Sequence, residues 1–357
     1  MTVHDTMHRP TPPPPPAPSE SPFTESVAAA GRLIDNVRRV IRGVDDAVTA
    51  AATALFAGGH LLIDDVPGVG KTMLARAFAR SIDGTFKRIQ ATPDLLPADI
   101  TGSAVYHQVD GSFEFVPGPL FANVVLIDEI NRTTPRTQSA LLEAMDENAT
   151  TVDGIRHELP HPLFVVATQN PVEHHGTFPL PEGQLDRFAI AMAMGYVPLE
   201  IERDVIAAQL GGHPIDDLAP VLTTREVVAV QRAAASVHAA GSVIDYALAI
   251  THATRSHSSL QLGASPRASI TLVRCAQARA LIKGRDFMVP DDVKALAVPV
   301  LAHRVVPRAE LRYGSAGSGT RAASSGVGSS LEPGRTDDVI AEILTSTPAP
   351  VTGPLRR

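Results

Sequence analysis

The 357-residue chain contains one cysteine, no tryptophan and few aromatic residues, and these absences narrow its class. A lone cysteine, Cys275, cannot form an internal disulfide, which argues against a disulfide-stapled secreted domain. Aromatic residues make up 4% of the chain, which leaves few side chains for a base-stacking platform. The net charge of −7 gives no general attraction to nucleic acid or anionic lipid. Nucleic-acid binding is therefore not expected.

Long apolar runs are also missing. No window approaches the ~18 uninterrupted apolar residues that a membrane helix needs, so we expect no membrane span. The first residues, Met1 to Ser21, lack the basic segment and apolar run of a secretory signal. With 44% apolar and 19% charged residues, the composition is typical of globular proteins. These features predict a cytoplasmic protein of about two domains.

Two segments have compositions that disfavour packed structure. Residues 1–22 are rich in proline, which lacks an amide donor, and we expect a disordered tail that is either a plain linker or a docking peptide. Residues 313–335 are rich in Gly and Ser and are expected to form a flexible loop. Residues 336–357 then predict a short C-terminal helix and tail.

Residues 23–198 alternate helix-like and strand-like patterns, which is typical of an α/β core with a parallel sheet flanked by helices. Asp-Gly pairs at Asp110 and Asp153 predict two small β-hairpins inserted in this core. Strand signals fade in residues 199–312, which predict a smaller all-α domain. The main predicted core elements are a helix pair broken near Gly43, strands at His60–Asp64, Asn123–Ile130 and Leu163–Thr168, and helices at Lys71–Ser81 and after Thr134.

A glycine-containing turn follows the first predicted strand and opens a helix. Residues 65–72, Asp-Val-Pro-Gly-Val-Gly-Lys-Thr, match the P-loop pattern G-x-x-x-x-G-K-[ST], except that Asp65 replaces the first glycine. In this pattern backbone amides cradle phosphates, the lysine reaches the β- and γ-phosphate oxygens, and the hydroxyl binds Mg²⁺. The candidate nucleotide-binding residues are Val66, Pro67, Gly68, Val69, Gly70, Lys71, Thr72 and Met73.

Further polar residues follow other predicted strands. The apolar run before Asp128 and Glu129 ends in two carboxylates, which suits metal-assisted phosphoryl transfer: Asp128 joins Thr72 in holding Mg²⁺, and Glu129 polarises the attacking water. Asn170 follows the strand that ends near Thr168 and is the candidate for holding that water or the γ-phosphate.

Several longer runs carry a family resemblance. They resemble the MoxR family of AAA+ ATPases over about residues 30–312, and their motifs are highly specific. The runs are Arg88–Gly102, Pro117–Pro119, Asp128–Arg132, Gln138–Met145 and Ala167–Pro171.

The resemblance implies an AAA+ P-loop core with a hairpin inserted in its second helix, a helical lid, and a homo-oligomeric ring that is usually hexameric. It implies ATP and Mg²⁺ as ligands. By position, Asn170 would be sensor 1 and Arg267 the lid's sensor 2. Arg187 would be the finger that reaches a neighbouring subunit's γ-phosphate, with Arg132 and Arg136 as alternatives.

Proteins of this family are thought to act as chaperone-like remodelling ATPases, with von Willebrand factor A-domain partners, on client protein complexes. The hairpins near Asp110 and Asp153 are then either levers that act on a substrate or decoration of the sheet. The competing hypothesis is a helicase-like nucleic-acid motor, which the negative charge disfavours. A non-catalytic nucleotide switch would need a defective water activator, whereas Glu129 is present.

Overall fold

The structure is a computed structural model that describes residues 21–109, 111–170, 176–210, 212–308 and 333–350. Residues 1–20 of the expected tail, the hairpin turn residue Asp110 and most of the Gly/Ser-rich segment lie outside the described residues. The prediction that the tail extends to residue 22 is wrong, because Ser21 caps a helix that begins at Pro22. No helix within the described ranges has the length and apolarity to cross a membrane.

The chain enters the core through two helices, α1 (Pro22–Arg38) and α2 (Asp45–Phe56). α1 begins where Ser21 accepts a hydrogen bond from the backbone amide of Thr24, with Pro22 in the first turn. Gly43 lies between the helices with φ 78°, a backbone conformation that ends helix propagation. The predicted helix pair and its break are therefore confirmed.

A five-stranded sheet forms the centre of the core, in the order β10-β1-β9-β6-β3, and every neighbouring pair is parallel. Because the strands are parallel, they all end at one side, the carboxyl edge, which includes Asp64, Asp128 and Gln169. The strands are β1 (Leu61–Asp64), β3 (Phe86–Gln90), β6 (Val124–Asp128), β9 (Phe164–Gln169) and β10 (Ile190–Met192).

Helices cover both faces of this sheet. Successive residues of β9, such as Phe164 and Val165, point to opposite faces and belong to two separate apolar clusters, so each face of the strand is buried. On one face Phe78 packs against Phe164, with ring centroids 6.0 Å apart. The core helices after α2 are α3 (Lys71–Ser81), α4 (Pro97–Thr101), α5 (Pro135–Glu147) and α6 (Glu182–Leu185).

Two hairpins project from the core: β4 (Gly102–His107) with β5 (Ser112–Pro117), and β7 (Ala149–Val152) with β8 (Ile155–Glu158). Asp153 and Gly154 both have positive φ, which is the backbone of the tight turn that an Asp-Gly pair favours. Phe115 stacks on His157 with ring centroids 3.8 Å apart, so the two hairpins contact each other. Both predicted hairpins are confirmed, although the turn residue of the first is not described.

The part of the chain after Leu199 is mainly helical, as expected, but it is not all-α, because it also contains short strands. Two short strand pairs occur: β11 (Leu222–Thr223) lies parallel to β2 (Ile82–Asp83), and β12 (Leu260–Leu262) lies antiparallel to β13 (Val306–Pro307). Pairs of two or three residues are too short to leave an alternating pattern in the sequence. The helices are α7 (Leu199–Leu210), α8 (Thr224–Ala235), α9 (Gly241–Ser256), α10 (Pro266–Ile282), α11 (Pro290–Leu301) and α12 (Pro333–Ser346).

A buried arginine joins the helical part to the core. The Arg304 side chain is 1% exposed, and its Nε donates to Asp186 Oδ1 at 2.8 Å. Its guanidinium also donates to the backbone carbonyl oxygens of Phe188 at 2.5 Å and Ala189 at 3.2 Å. A buried cation that is paired and fully hydrogen-bonded in this way fixes where the α11 end meets the core.

At the base of the first hairpin the chain at Gly118 crosses close to the chain at Ile100. Glycine substitutions test this crossing. A Cβ on Gly118 would lie 2.2 Å from the Ile100 carbonyl oxygen, so Gly118→Ala forces the backbone apart and should lower the free energy of unfolding by about 1–3 kcal/mol. Gly31 lies inside α1 with open space around its Cβ position, so Gly31→Ala should raise that free energy by about 0.5–1 kcal/mol. Urea unfolding of the two variants would measure both signs, and a Gly118→Ala protein as stable as wild type would contradict the crossing.

Candidate functional site

The glycine-containing loop lies between β1 and α3, as the sequence predicts. α3 begins at Lys71, and Gly70 is its N-cap with φ 98°. Gly68 also has positive φ, at 87°. These left-handed conformations allow the loop to curl over the first turn of α3, where unpaired backbone amides and the helix dipole favour an anion.

Lys71 spans the ends of two strands. Its Nζ donates to the backbone carbonyl oxygens of Asp65 at 2.5 Å and Gln169 at 2.7 Å. Partial burial lowers the pKa of Lys71, while the nearby carboxylates of Asp65 and Asp64 oppose that shift. The ammonium is therefore held over the carboxyl edge, where it can also donate to an anionic ligand.

Asp128 and Thr72 meet at the same edge. Thr72 Oγ1 lies 3.4 Å from Asp128 Oδ1, and Thr168 Oγ1 lies at the same distance from that oxygen. Asp128 is buried, and Arg88 Nε donates to its other oxygen at 2.7 Å. Arg88 was not among the predicted site residues; its only sequence signal is its place in a predicted family motif.

The residues at this edge fit Mg²⁺. A hydroxyl and a carboxylate from adjacent elements supply the oxygen ligands that this ion prefers. A further carboxylate, Asp64, ends β1 at the same edge, and its Oδ1 is buried without a hydrogen-bond partner among the described residues. Burial raises the pKa of Asp64 to about 6, with Lys71 opposing the shift. A buried oxygen without a partner is what a bound cation with its water shell would satisfy.

Glu129 has a strained backbone at this edge. Its φ of 60° and ψ of 49° lie in the left-handed region, which is uncommon for a residue with a Cβ. Its amide donates to Thr168 Oγ1 at 2.9 Å. Its carboxylate accepts hydrogen bonds from Arg132 Nη1 at 3.1 Å and from Gln90 Nε2 at 3.4 Å. These two contacts fix the orientation of the carboxylate. Backbone strain of this kind clusters at functional sites.

Asn170 follows β9 directly and is 4% exposed. Its neighbour Gln169 lies in register with Asp64 of β1, so Asn170 reaches the carboxyl edge beside the loop. The structure thus brings the predicted residues Lys71, Thr72, Asp128, Glu129 and Asn170 to one edge of the sheet.

Arg187 and Arg267 are not brought there. Both contact Asp146 in the last turn of α5: Arg187 Nε lies 3.2 Å from Oδ2, and Arg267 donates to both carboxylate oxygens. This position is at the opposite side of the sheet, the amino edge, where Ala189 pairs with His60 just before β1. At ~3.3 Å per residue, the five steps from His60 to Asp65 separate the two edges by about 16 Å.

The amino edge carries an excess of positive charge. A cavity of about 470 Å³ there is lined by the arginines 187, 267, 274 and 304 and by the aspartates 146 and 186. His60 adds no charge at neutral pH, because burial lowers its pKa to about 4. Its Nδ1 accepts a hydrogen bond from the Val165 amide at 3.2 Å, which suits the neutral ring. The cavity therefore favours an anion.

A second cavity, of about 450 Å³, adjoins the glycine-containing loop. It lies between the loop, the segment that follows α1 and the segment that joins β10 to α7. Reasoning from the sequence missed this cavity, because its walls come from three separate parts of the chain and only the loop has a motif. Its lining includes Val40, Ile41, Gly68, Gly70, Met73, Met194, Tyr196 and Ile206.

Comparison with known proteins gives matches along most of the chain. A family model described as "ATPase family associated with various cellular activities (AAA)" matches residues 60–190. A model described as "AAA lid domain" matches residues 252–318. A Cytophaga hutchinsonii protein whose crystal structure is described as that of a candidate ATPase superposes with a TM-score of 0.81. It is 32% identical and the match covers 92% of this chain and 97% of that one.

Three relatives match most of the chain, and the names of two of them give the family. The chain is 50% identical over 283 residues to the uncharacterised protein YeaC of Bacillus subtilis, covering 79% of this chain and 88% of the relative. It is 41% identical to Chaperone MoxR1 of Mycobacterium tuberculosis, with coverages of 77% and 75%. It is 31% identical to Protein MoxR of Methylorubrum extorquens, with coverages of 80% and 90%. The chain therefore belongs to the MoxR family of AAA+ ATPases.

Proposed function

We propose that the carboxyl edge binds ATP with Mg²⁺ and hydrolyses it to ADP and phosphate. The observation that carries the proposal is the convergence of Lys71, Thr72, Asp128 and Glu129 at the ends of neighbouring parallel strands. Residues 66–73, from Val66 to Met73, would cradle the phosphates with backbone amides, and Lys71 would contact the β- and γ-phosphate oxygens. The adjoining cavity of about 450 Å³ would take the base and ribose.

Thr72 and Asp128 would hold the metal ion in this proposal. When bound, Mg²⁺ neutralises charge on the phosphate oxygens. Arg88 contacts Asp128 at the oxygen that does not face Thr72, so it orients the carboxylate.

Glu129 would accept a hydrogen bond from the attacking water and so increase its nucleophilicity. Arg132 and Gln90 hold its carboxylate, and the Thr168 hydroxyl holds its backbone, so the group is positioned before substrate arrives. Asn170, at the end of β9, would orient the same water or the γ-phosphate.

The role of Glu129 predicts a variant that binds but does not turn over. Glu129→Gln keeps the shape of the side chain and removes the base, so we expect ATP affinity within about 3-fold of wild type and a kcat lower by roughly 10²- to 10⁴-fold. Binding of a fluorescent ATP analogue and a phosphate-release assay would measure the two quantities. Glu342→Gln changes an exposed glutamate in α12 and is the matched control. Full turnover by Glu129→Gln would remove Glu129 from the mechanism.

We also propose that Arg187 and Arg267 act on the nucleotide of a neighbouring subunit in a ring. Both lie at the amino edge, about 16 Å from the loop of their own chain, with side chains 27% and 48% exposed. Asp146 orients them together, and the surrounding cavity has more arginines than aspartates. In this arrangement Arg267 would serve a neighbour, rather than its own subunit as expected for a sensor 2 on the lid.

The alternatives for the trans arginine differ in their support. Arg132 contacts Glu129 of its own chain, which favours a role within its own site. Arg136 lies exposed in the first turn of α5, at the carboxyl edge, and stays an alternative. Because the transition-state charge would be stabilised only when a neighbour docks, an isolated subunit should be a poor ATPase. A hexamer is the ring size that we propose.

Subunit mixing tests the trans role directly. Arg187→Ala and Lys71→Ala proteins should each be inactive, but random mixing at 1:1 gives about a quarter of interfaces with an intact Lys71 facing an intact Arg187. We expect ATPase activity to recover toward that fraction. Mixing Glu129→Gln with Lys71→Ala is the matched control, since both changes disable the same subunit's site and no recovery should occur. Absence of recovery in rings shown by native mass spectrometry to contain both Arg187→Ala and Lys71→Ala subunits would contradict the trans assignment.

We propose that hydrolysis drives chaperone-like remodelling of a client protein complex with a von Willebrand factor A-domain partner. Support comes from the relatives named as a chaperone and as MoxR and from the first hairpin, where Tyr106 and Phe113 form an exposed aromatic pair with ring centroids 5.1 Å apart. Exposed aromatic pairs of this kind mark protein-binding surfaces. Residues 199–312 would form the lid, and α7 would be the part that responds to nucleotide, since Arg304 holds the end of α11 to the core. The buried Cys275 and the lack of other cysteines suit a cytoplasmic location.

The remodelling proposal and the helicase-like alternative differ in what stimulates the ATPase. We expect a von Willebrand factor A-domain protein from the same organism to change the steady-state rate at least about 2-fold, and single-stranded DNA to leave it unchanged, since the net charge is −7. Replacing both Tyr106 and Phe113 with Ser should abolish the partner's effect and leave the basal rate intact. Phe287→Ser, at an exposed aromatic of the helical part, is the control. Stimulation by DNA alone would favour the motor hypothesis.

A further inference from the structure

Asp65 occupies the position where the P-loop pattern has its first glycine. The backbone of residue 65 is not in the left-handed region, unlike that of Gly68 and Gly70, so a side chain fits there without strain. The substitution therefore does not weaken the loop. What the side chain does in place of a glycine follows from its contacts.

The Asp65 carboxylate accepts three backbone hydrogen bonds. Oδ1 accepts from the Val66 amide at 2.7 Å, while Oδ2 accepts from the amides of Met194 at 2.7 Å and Gly195 at 2.8 Å. The residue is 8% exposed, so these charge-assisted bonds face little competition from water. One carboxylate thus joins the start of the phosphate loop to a segment 129 residues farther along the chain.

Met194 and Gly195 belong to the segment that joins β10 to α7. This linker, residues 193–198, follows the last strand of the sheet and leads into the helical part. Met194, Gly195, Tyr196 and Val197 line the cavity that we assign to the base and ribose. The position of the linker therefore sets one wall of that cavity.

The backbone of Asp65 has a second contact, on the phosphate side. Its carbonyl oxygen accepts a hydrogen bond from Lys71 Nζ. Asp65 consequently contacts the lysine through its main chain and the linker through its side chain. If a phosphate binds to Lys71, the hydrogen bond between Lys71 and the Asp65 carbonyl oxygen would change. That change would act on the residue whose side chain holds the linker.

α7 lies at the surface, with Ile201 packed against Gly43 of the segment that follows α1. None of its residues is buried, in contrast to α10, which buries Leu272, Cys275 and Ala276 among others. A helix with few buried contacts is displaced at low free energy, so the segment that leads into it has a large influence on its position. The contact between Asp65 and the linker is therefore well placed to determine where α7 lies against the cavity.

We propose that Asp65 is a positioning residue that couples the phosphate loop to the linker, so that it determines affinity for the base and ribose of ATP and the response of α7 to ATP. The proposal rests on the proposed nucleotide site. It distinguishes two parts of the ligand: the phosphates contact the loop, while the base and ribose contact the wall that Asp65 holds.

Two probes separate these parts: Mg-ATP and Mg-bound inorganic triphosphate. In a Glu129→Gln background, which prevents turnover, Asp65→Asn should weaken ATP binding about 10-fold in calorimetric titration, because one amide loses its charged acceptor. Affinity for triphosphate should change less than about 3-fold. A variant that is only partly folded would lower the stoichiometry of both ligands and leave the ratio of their dissociation constants unchanged. An unchanged ratio would therefore overturn the proposal.

Asp65→Gly restores the strict P-loop pattern and removes the carboxylate, so it separates the effect of the pattern from the effect of the side chain. We expect it to lose ATP affinity as Asp65→Asn does, although its loop matches the pattern better. ATP affinity equal to or above that of the wild type would show that the carboxylate has no positioning role. Glu226→Gln is the matched control, because Glu226 also accepts a backbone hydrogen bond, from Thr223 at 2.8 Å, but in the cap of α8.

Hydrogen exchange gives a readout of the coupling itself. In the Glu129→Gln protein, ATP should slow amide exchange in residues 193–210 and triphosphate should not; in the Asp65→Asn protein, ATP at saturating concentration should slow it less. Equal protection in both proteins would contradict the coupling. Failure of the underlying site has a different signature: a protein with Asp65 intact would then bind neither probe, and Lys71→Ala would change nothing.

Discussion

Strands β1, β9 and β6 lie in parallel register, and this constraint decides where the polar residues of the site lie. Asp64 is opposite Gln169, and Gln90 of β3 is opposite Asp128, so each strand delivers its last residue to the same edge. The strands themselves are buried on both faces, which leaves their ends as the place where polar side chains can gather. Lys71 then bridges the β1 and β9 ends through two carbonyl oxygens.

The same register separates the charged groups into two sets. α5 starts after β6 and runs back along the sheet, which carries Asp146 to the amino edge, where it meets Arg187 and Arg267. At the carboxyl edge the carboxylates are paired with Lys71, Arg88 and Arg132, whereas the amino edge gathers arginines in excess of aspartates. An arginine-rich amino edge would complement an anionic ligand at a neighbour's carboxyl edge, and such heterologous, head-to-tail contacts can close into rings.

The parts of the fold that sequence predicted are those with local causes. The helix after β6 begins where Thr134 accepts a hydrogen bond from the Thr137 amide and Pro135 follows, and both residues are helix-start signals. β9 appears as a short apolar run, because both faces of this strand are buried. The strand-loop-helix order around Lys71 likewise needs only neighbouring residues.

The parts that sequence did not predict depend on residues far apart in the chain. Arg88 reaches Asp128 across 40 residues, and the Asp65 carboxylate meets amides about 130 residues away. Arg267 shares Asp146 with Arg187 because α10 and α5 are brought together by tertiary packing, and no pattern along the chain encodes that meeting. Its placement at the amino edge therefore had no local signal.

The two walls of the cavity that adjoins the glycine-containing loop differ in how much buried structure supports them. The loop wall adjoins the buried strand β1 and α3, which buries Leu74 and Phe78, whereas the opposite wall is formed by the linker and by α7, which buries no residue. Elements with few buried contacts open at lower free energy than the core, and ligand-responsive segments are drawn from them. A ligand in this cavity would add contacts mainly to the weakly held wall. Binding energy would therefore act on α7 rather than on the sheet, and the sheet can stay rigid while α7 changes position.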